Sequence, residues 1–236
     1  MAPSPMDVDQ RAQVFLTIPA YNEGPVIRAT LAPLVATGFS VVVVDDGSTD
    51  DTWAQLAGLG AHRLRHPFNL GQGAALQTAM SYALRQGAEY IVHFDADGQH
   101  NPDDIETLLE PLLAGETDVV LGSRFLREED WLAVPPERRR LLKAAVVVNG
   151  LLTGLWLSDA HNGARAFTRQ AAQKVKLREN GFAHASEILQ QIRSQELRYV
   201  ERPTRIRYTD YSQLKGQKAT NSINILLDLL IRRLLR

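Results

Sequence analysis

Two aspartates one residue apart, Asp95 and Asp97, follow an apolar segment from Tyr90 to Phe94 that is typical of a buried strand. Ligands of open α/β sheets bind in the crevice beyond the carboxyl ends of the strands. Two carboxylates held this close repel each other, and a divalent cation would keep both ionised. With Gln99 or water as a further oxygen ligand, the set suits Mg²⁺ or Mn²⁺, particularly when phosphate oxygens supply the remaining positions. These residues predict a metal-assisted diphosphate site.

The Asp-x-Asp spacing alone is weak evidence, because Asp, Gly and Asn are also common in any turn that follows a strand. Polar clusters at the ends of other predicted strands strengthen it. Val41–Val44 leads into Asp45 and Asp46, and the strand predicted for Asp118–Leu121 leads into Gly122-Ser123-Arg124. Several such clusters at one sheet edge predict a site rather than a set of separate turns.

The elements that must position these clusters alternate along the first half of the chain. Strands are predicted at 14–18, 41–44, 62–65, 90–94 and 118–121, and helices at 26–37, near 51, at 74–85 and at 102–113. This alternation predicts an α/β fold with a mostly parallel, doubly wound sheet. The Gly71-x-Gly73 pair lacks the third glycine of a dinucleotide fingerprint. It predicts either a helix N-terminus near phosphate or sugar or a simple tight turn.

Composition limits the possible classes of protein. A chain of 236 residues with 44% hydrophobic residues suits one α/β domain, and the absence of cysteine excludes disulfides, thiolate metal sites and cysteine nucleophiles. The first ten residues lack an apolar signal region, so we expect a loose tail and no secretion. Residues 1–130 hold 7 Lys and Arg against 19 Asp and Glu, and residues 131–236 hold 19 against 8. An acidic half that holds a cation and a basic half that meets anions would explain this asymmetry.

Five motifs in order resemble those of the inverting family 2 glycosyltransferases with the GT-A fold, and most closely the dolichyl- or polyprenyl-phosphate mannose and glucose synthase branch. They are Pro19-Ala20-Tyr21-Asn22-Glu23, Asp45-Asp46-Gly47-Ser48-Thr49-Asp50, Asn69-Leu70-Gly71-Gln72-Gly73-Ala74, Asp95-Ala96-Asp97-Gly98-Gln99-His100 and Gly122-Ser123-Arg124. The resemblance implies a single Rossmann-like domain that binds a nucleotide-diphosphate sugar such as GDP-mannose or UDP-glucose. It implies a metal at Asp97 and Gln99 with help from Asp95. The implied nucleotide-binding residues are Pro19, Tyr21, Glu23, Asp45, Asp46, Asn69, Gly73, Asp95, Ala96 and Asp97.

The second half fits the acceptor side of the same site. The segment from Asp159 to Arg165 resembles the family's Asp-x-x-Ser-Gly-x-Arg motif, with Asn162 where serine is commoner, and Glu187 stands where the family carries a glutamate near the acceptor. Without the family, Glu187 is more simply explained as a charge on a helix face. The predicted acceptor or phosphate contacts are Arg124, Arg139 and Arg140, because guanidinium groups match phosphate oxygens in pairs. The resemblance adds Arg165, Arg207, Lys215 and Lys218. The basic loop that contains the last three also fits a merely solvated loop.

Two further segments bear on membrane contact. The apolar pattern at 141–157 is too short and too interrupted to span a bilayer and predicts a core or interfacial helix. Residues 219–236 predict an amphipathic helix that contacts a membrane surface, a partner or the protein's own core, or supports a homodimer. We therefore expect a flexible tail at 1–12, a GT-A domain at 13–218 with its donor half ending near 124, and a peripheral enzyme at the cytoplasmic face, with a small membrane protein as a possible partner.

The mechanism depends on the acceptor. A polyprenyl phosphate is already an anion and scarcely needs a general base, whereas a sugar hydroxyl needs a carboxylate such as Asp159 or Glu187. The predicted catalytic residues are Asp97, Arg124, Asp159 and Glu187. A nucleotidyltransferase should carry Arg and Lys in the loop after the first strand, and residues 19–24 have neither. A non-catalytic sugar-nucleotide-binding subunit remains an alternative. Nucleic acid is not expected as a partner, because the basic residues lack interleaved aromatic residues.

Overall fold

The computed structural model describes residues 6–127, 139, 146–148, 150–151, 153–159, 162–181 and 183–206. Its strands are β1 (Val14–Ala20), β2 (Ser40–Asp45), β3 (His62–Arg65), β4 (Tyr90–His93), β5 (Val119–Ser123), β6 (Arg165–Thr168) and β7 (Tyr199–Pro203). Its helices of determined bounds are α1 (Val8–Ala12), α2 (Gly24–Ala36), α3 (Thr52–Gln55), α4 (Gln72–Arg85), α5 (Asp104–Leu113), α6 (Arg169–Lys174) and α7 (His184–Ser194). The predicted α/β class is confirmed.

Among the described residues the strands form one sheet of seven in the order β3-β2-β1-β4-β6-β5-β7. Every neighbouring pair is parallel except the two that involve β6, which runs antiparallel to both β4 and β5. β5 therefore runs in the same direction as β4. The carboxyl ends of β1, β2, β4 and β5 consequently lie at one edge of the sheet, together with the amino end of β6.

The sheet is covered by helices on both faces, and β2 shows why. Val42 and Val44 pack in a cluster with residues of α4, α6 and α7, whereas Val41 and Val43 pack in a cluster with residues of α2 and α5. Successive side chains of a strand point to opposite faces, so a run of four valines can be buried on both. Burial of each such side chain contributes about 1.5–3 kcal/mol. This two-sided core fixes the strands whose ends form the site.

Two regions can be compared with the sequence-based expectations. Val8–Ala12, within the segment expected to be a tail, form a helix, because Asp7 and Gln10 form a capping box and Arg11 pairs with Glu106 at 2.7 Å. The alternating pattern of residues 198–208 predicts a strand, and in the described part of this segment the strand ends at Pro203. Within the described ranges, no helix is both long enough and apolar enough to cross a membrane.

Candidate active site

The loops after β1 and β2 are joined by side-chain hydrogen bonds to backbone amides. The Asn22 amide donates to the Ser48 hydroxyl at 2.9 Å, and the Thr49 amide donates to Asn22 Oδ1 at 2.9 Å. Asn22 has a φ of 53°, in the left-handed region that asparagine tolerates better than most residues. Asp45 accepts from the Ser48 amide at 3.0 Å and its other oxygen lies 3.0 Å from Arg65 Nε. Asp45 therefore organises the loop from a buried position.

Asp46 holds the loop that follows β3. Its carboxylate lies 2.6 Å from His66 Nδ1 and accepts from the amides of Leu70 and Gly71 at 3.0 and 2.7 Å. His66 Nε2 in turn lies 3.0 Å from the Thr78 hydroxyl on α4. The predicted nucleotide-binding residue Asp46 thus has three partners within the protein, and it fixes the loop that presents Asn69, whose side chain is exposed.

The amino end of α4, where the sequence predicts either a nearby phosphate or sugar or a tight turn, is in contact with the second half of the chain. The Gly73 amide donates to the carbonyl oxygen of Asn180 at 2.7 Å, so a backbone group of this chain occupies that donor. A Cβ on Gly73 would lie 2.0 Å from the Glu179 carbonyl oxygen and 2.9 Å from the His184 Cβ. Gly73 is required for this close approach of residues 179–184 to α4.

The other predicted nucleotide-binding residues lie along the same edge. Pro19 and Ala96 are buried, Glu23 is 9% exposed, and Tyr21 is exposed at 41%. The Glu23 amide donates to the Thr52 hydroxyl at 2.8 Å, which ties the start of α2 to α3. An exposed aromatic ring at the mouth of the crevice is the kind of surface on which a nucleobase can stack.

Asp95 and Asp97 lie at the centre of this edge, beyond β4. Asp95 accepts from Gln72 Nε2 at 3.2 Å and lies 2.9 Å from His100 Nε2. Burial alone would raise the pKa of Asp95, but the hydrogen bond and charge of His100 leave that pKa below its ordinary value. Burial and the nearby Asp95 raise the pKa of Asp97 to about 6. Proximity to both carboxylates more than offsets burial and raises the pKa of His100.

These residues fit a divalent cation. The raised pKa of Asp97 reports desolvation and like-charge repulsion that a cation would relieve. Asp95, Asp97 and Gln99 supply hard oxygen ligands of the kind that Mg²⁺ and Mn²⁺ prefer. The described residues contain no cluster of three or more His, Cys, Asp or Glu that would hold a metal unaided. Such a set suits a cation that is held jointly with oxygens from a ligand.

Three buried residues of basic type, Arg165, His184 and His93, interact electrostatically with Asp95. Arg165, at the start of β6, is directly opposite His93 in the register of β4 and is 3% exposed. Within the described part of the chain its guanidinium makes no hydrogen bond, and Asp95 and Asp159 are the carboxylates that attract it. Burial lowers the pKa of Arg165 to about 10. Burial and the charge of Arg165 lower the pKa of His184 to about 4 and keep that of His93 well below its ordinary value.

Arg124 and Asp159 form a two-point ion pair at the end of β5. Arg124 Nε lies 2.6 Å from Asp159 Oδ2 and Nη2 lies 2.8 Å from Oδ1. The Arg124 amide also donates to Oδ2 at 3.1 Å. The predicted motif residues Arg124 and Asp159 are thus brought together, and both oxygens of Asp159 accept from Arg124.

Glu187, on α7, accepts hydrogen bonds from the backbone amides of Arg178 and Glu179 at 3.0 Å. Its carboxylate therefore anchors the segment whose next residue, Asn180, caps α4. Asn162, which replaces the commoner serine, donates to the Thr204 hydroxyl at 2.7 Å and accepts from the Ala164 amide at 2.9 Å. It closes the turn that leads into β6.

Several predicted contacts fall where little or nothing is described. Arg139 is partly buried. Arg140, Arg207, Lys215, Lys218, the helix predicted at 219–236 and most of the segment 141–157 lie outside the described residues.

Sequence reasoning missed four residues that hold the site: His66, His100, Asn180 and Glu201. His66 and His100 follow strand ends, so their positions were a usable signal. Asn180 acts through its backbone carbonyl, which any residue supplies, and Glu201 lies mid-strand in β7. No local pattern distinguishes these two.

The mixed sheet with a carboxylate pair beyond β4 defines a GT-A glycosyltransferase fold. The structure is similar to glucosyl-3-phosphoglycerate synthase from Mycobacterium tuberculosis in complex with Mn²⁺, uridine diphosphate and phosphoglyceric acid, with a TM-score of 0.63 and 21% identity over 96% of this chain and 84% of that one. Residues 16–176 match the family described as Glycosyl transferase family 2. The chain belongs to this family, as the motifs predicted, and is a glycosyltransferase.

Two relatives carry names from the predicted branch. The UDP-N-acetylglucosamine–dolichyl-phosphate N-acetylglucosaminyltransferase of Methanococcus voltae is 29% identical, over 94% of this chain and 96% of its own length. The polyprenol monophosphomannose synthase of Mycolicibacterium smegmatis is 31% identical, over 73% of this chain and 68% of its own length.

Proposed function

We propose that this glycosyltransferase moves a hexose from a nucleotide-diphosphate sugar to a polyprenyl phosphate, with inversion, at the cytoplasmic surface of a membrane. The observation that carries the proposal is the buried Arg165. Asp95 of the donor half and Asp159 of the acceptor half both attract it, and among the described residues its guanidinium has no hydrogen-bond partner. A buried guanidinium that makes no hydrogen bond is unfavourable, and the oxygens of a bound phosphate would supply the missing acceptors. The names of two relatives support a lipid phosphate as this anion.

The donor would bind along the edge formed by the loops after β1, β2 and β4. Asp95, Asp97 and Gln99 would hold Mg²⁺ or Mn²⁺, and the similar synthase structure that contains Mn²⁺ and uridine diphosphate supports this choice. When bound, the cation offsets negative charge on the diphosphate leaving group. Tyr21, an exposed aromatic residue, would stack on the base, and Asn69, in the loop that Asp46 holds, would contact the nucleotide.

The acceptor phosphate would meet Arg124 and Arg165, because guanidinium groups match phosphate oxygens in pairs. Such an acceptor is already ionised at neutral pH and needs no proton removed before attack. The contacts of the two candidate carboxylates support this choice over a hydroxyl acceptor. Both oxygens of Asp159 accept from Arg124, and those of Glu187 accept from backbone amides, so neither carboxylate is without partners.

The test is release of free nucleoside diphosphate from a panel of sugar nucleotides with Mn²⁺ or Mg²⁺, with and without a short polyprenyl phosphate. We expect acceptor-dependent release that disappears in Asp97→Ala and falls by about 100-fold or more in Arg165→Gln, since a phosphate would lose a buried charged partner. Arg63→Gln is the control and should leave release unchanged. Arg63 lies on the edge strand β3, and its guanidinium stacks on the ring of Trp53. Release with a sugar hydroxyl acceptor and not with the lipid phosphate would overturn the proposal. Donor binding without any release would favour a binding subunit.

A further inference from the structure

Glu201, in the middle of β7, binds the segment that carries Asp159. Its Oε1 accepts hydrogen bonds from the Ser158 amide at 2.9 Å, from the Ser158 hydroxyl at 2.7 Å and from the Asp159 amide at 3.4 Å. Its Oε2 lies 3.0 Å from the Ser158 amide. One side chain therefore fixes two consecutive residues of a connecting segment.

The same segment is tied to β5 by a second contact. The hydroxyls of Ser123 and Ser158 lie 2.6 Å apart, and Ser123 Oγ also accepts from the Phe125 amide at 3.1 Å. Ser123 ends β5 and Glu201 is paired with Leu121 of that strand, so both anchors rest on the rigid β5–β7 pair. A connection held at two points on one strand pair has little freedom to move.

The Glu201 carboxylate is engaged in hydrogen bonds to one segment. Among the described residues no lysine or arginine forms an ion pair with it, and its contacts are with Ser158 and the amide of Asp159. The oxygens of Glu201 accept hydrogen bonds from the segment that contains Asp159. Both oxygens of Asp159 in turn accept from Arg124.

We propose that Glu201 is a positioning residue that acts through Ser158 and Asp159 to hold Arg124 toward the anionic end of the acceptor. The proposal rests on the proposed function for the identity of the acceptor, a polyprenyl phosphate. Glu201 itself does not touch the substrate. Its effect is on the orientation of one guanidinium, which must be fixed for paired contacts with phosphate oxygens.

The first test needs no substrate. In ¹H–¹⁵N spectra, the Arg124 Nε–H that donates to Asp159 should give a distinct, slowly exchanging signal in the wild-type protein, assigned by its loss in Arg124→Gln. We expect this signal to broaden or vanish in Glu201→Ala and to persist in Glu201→Gln, whose amide oxygen still accepts from Ser158. An unchanged Arg124 signal in a folded Glu201→Ala protein would overturn the proposal.

The second test separates acceptor from donor kinetics. Glu201→Ala should raise KM for the polyprenyl phosphate by about tenfold, the equivalent of one charge-assisted contact, and leave KM for the sugar nucleotide within about twofold. Glu201→Gln should restore most of the acceptor KM. The matched control is Asp118→Ala, which removes an ion pair with Arg198 at the other end of the same strand pair and should leave both constants unchanged. Equal rises in both KM values would indicate a general structural role and overturn the proposal.

A double-mutant cycle tests whether Glu201 acts on the acceptor through Arg124. In an Arg124→Gln background, Glu201→Ala should produce no further rise in the acceptor KM, because the group that it positions is absent. Additive effects would mean that Glu201 acts elsewhere. If the wild-type enzyme shows no acceptor-dependent turnover, the proposed function fails, and the spectra of Arg124 still decide whether Glu201 positions it.

Discussion

The carbonyl oxygen of Asn180 accepts a 2.7 Å hydrogen bond from the amide of Gly73, so a segment of the second half of the chain caps the helix that starts beside the donor site. On the same turn, Gln72 donates to Asp95 at 3.2 Å. Glu187 anchors the capping segment through the amides of Arg178 and Glu179. The two halves are therefore joined at the candidate diphosphate site by backbone contacts.

Gly73→Ala should destabilise the protein by about 1–3 kcal/mol, because the added Cβ would meet the Glu179 carbonyl oxygen at 2.0 Å and the backbone must move. Urea unfolding followed by circular dichroism measures the loss. Gly181→Ala is the matched control from the same segment, since a Cβ there meets nothing within 4 Å, and it should change stability by less than about 0.5 kcal/mol. Equal effects of the two substitutions would contradict the close packing at Gly73.

Asp97→Asn should stabilise the metal-free protein at neutral pH. The pKa of Asp97 is about 6 in the folded protein and 3.8 ordinarily, so the folded state holds the proton more tightly. Stability from this group is therefore present at low pH and is lost as the pH rises from about 4 to about 6. The difference in unfolding free energy between variant and wild type should grow over that window and stay constant above it.

Urea titrations in EDTA at several pH values provide the measurement for Asp97. Addition of Mn²⁺ with nucleoside diphosphate should reverse the ranking at pH 7, because the ligands stabilise only a protein that binds them. A pH-independent difference between Asp97→Asn and wild type would show that the carboxylate is not desolvated as described.

His184→Asn should change the pH dependence in the opposite direction. The pKa of His184 is about 4 in the folded protein and 6.5 ordinarily, so unfolding takes up a proton between these values. The neutral ring contributes stability that is present above about pH 6.5 and is lost as the pH falls toward 4. Asparagine can still donate to the Gly181 carbonyl, as His184 Nδ1 does at 2.8 Å. Below pH 6.5, the unfolding free energy of the variant should fall less steeply with decreasing pH than that of the wild type, as measured by urea unfolding. An identical pH dependence of the two proteins would refute the burial of a neutral ring.

Glu187→Gln should retain activity within about tenfold, whereas loss of a general base typically costs about 10²–10⁴-fold. The glutamine oxygen can still accept from the amides of Arg178 or Glu179, which Glu187 holds at 3.0 Å. Glu187→Ala should lose about 1–3 kcal/mol of stability by leaving those amides without their partner. Steady-state kinetics and urea unfolding on both variants provide the check. A collapse of kcat in a fully stable Glu187→Gln protein would instead assign Glu187 a catalytic role.

His66→Ala should weaken nucleoside diphosphate binding, although His66 itself does not touch the ligand. His66 lies 2.6 Å from Asp46, which holds the amides of Leu70 and Gly71. Without the imidazole, the buried Asp46 loses a charge-assisted partner, and we expect a rise in Kd of about tenfold by calorimetry. Thr78→Val removes only the outer contact of His66 and should have a smaller effect. Unchanged binding in both variants would mean that the Asp46 loop does not contribute to the nucleotide site.

Much of the site was predictable because parallel strands bring their carboxyl ends to one edge. Apolar runs ending in polar residues located Asp45, Asp46, Asp95, Asp97 and Arg124 at that edge, and periodicity placed β1 to β5 and helices α2, α4 and α5 close to their observed bounds. These signals are local, since they depend on hydrophobic period and on residues that follow a strand within a few positions.

Other features required contacts between distant segments. A short strand such as β6 (Arg165–Thr168) carries no pattern that shows which way it runs, so its antiparallel insertion between β4 and β5 was not predicted. A phosphate or sugar near Gly73 stays a prediction, whereas the hydrogen bond from the Gly73 amide to the Asn180 carbonyl joins residues more than 100 positions apart and has no signal in the sequence.

The sequence by itself determined the family, the α/β class and the carboxylates beyond β4, because each is written in consecutive residues. Only the tertiary structure decided that Arg165 lies near Asp95. The pairing of β6 with β4 sets Arg165 opposite His93, two residues before Asp95. The tertiary structure also decided that Asp159 holds Arg124 and that Glu201 holds the segment of Asp159. Side-chain partners separated by 35 or more residues depend on chain packing, and no local periodicity encodes that packing.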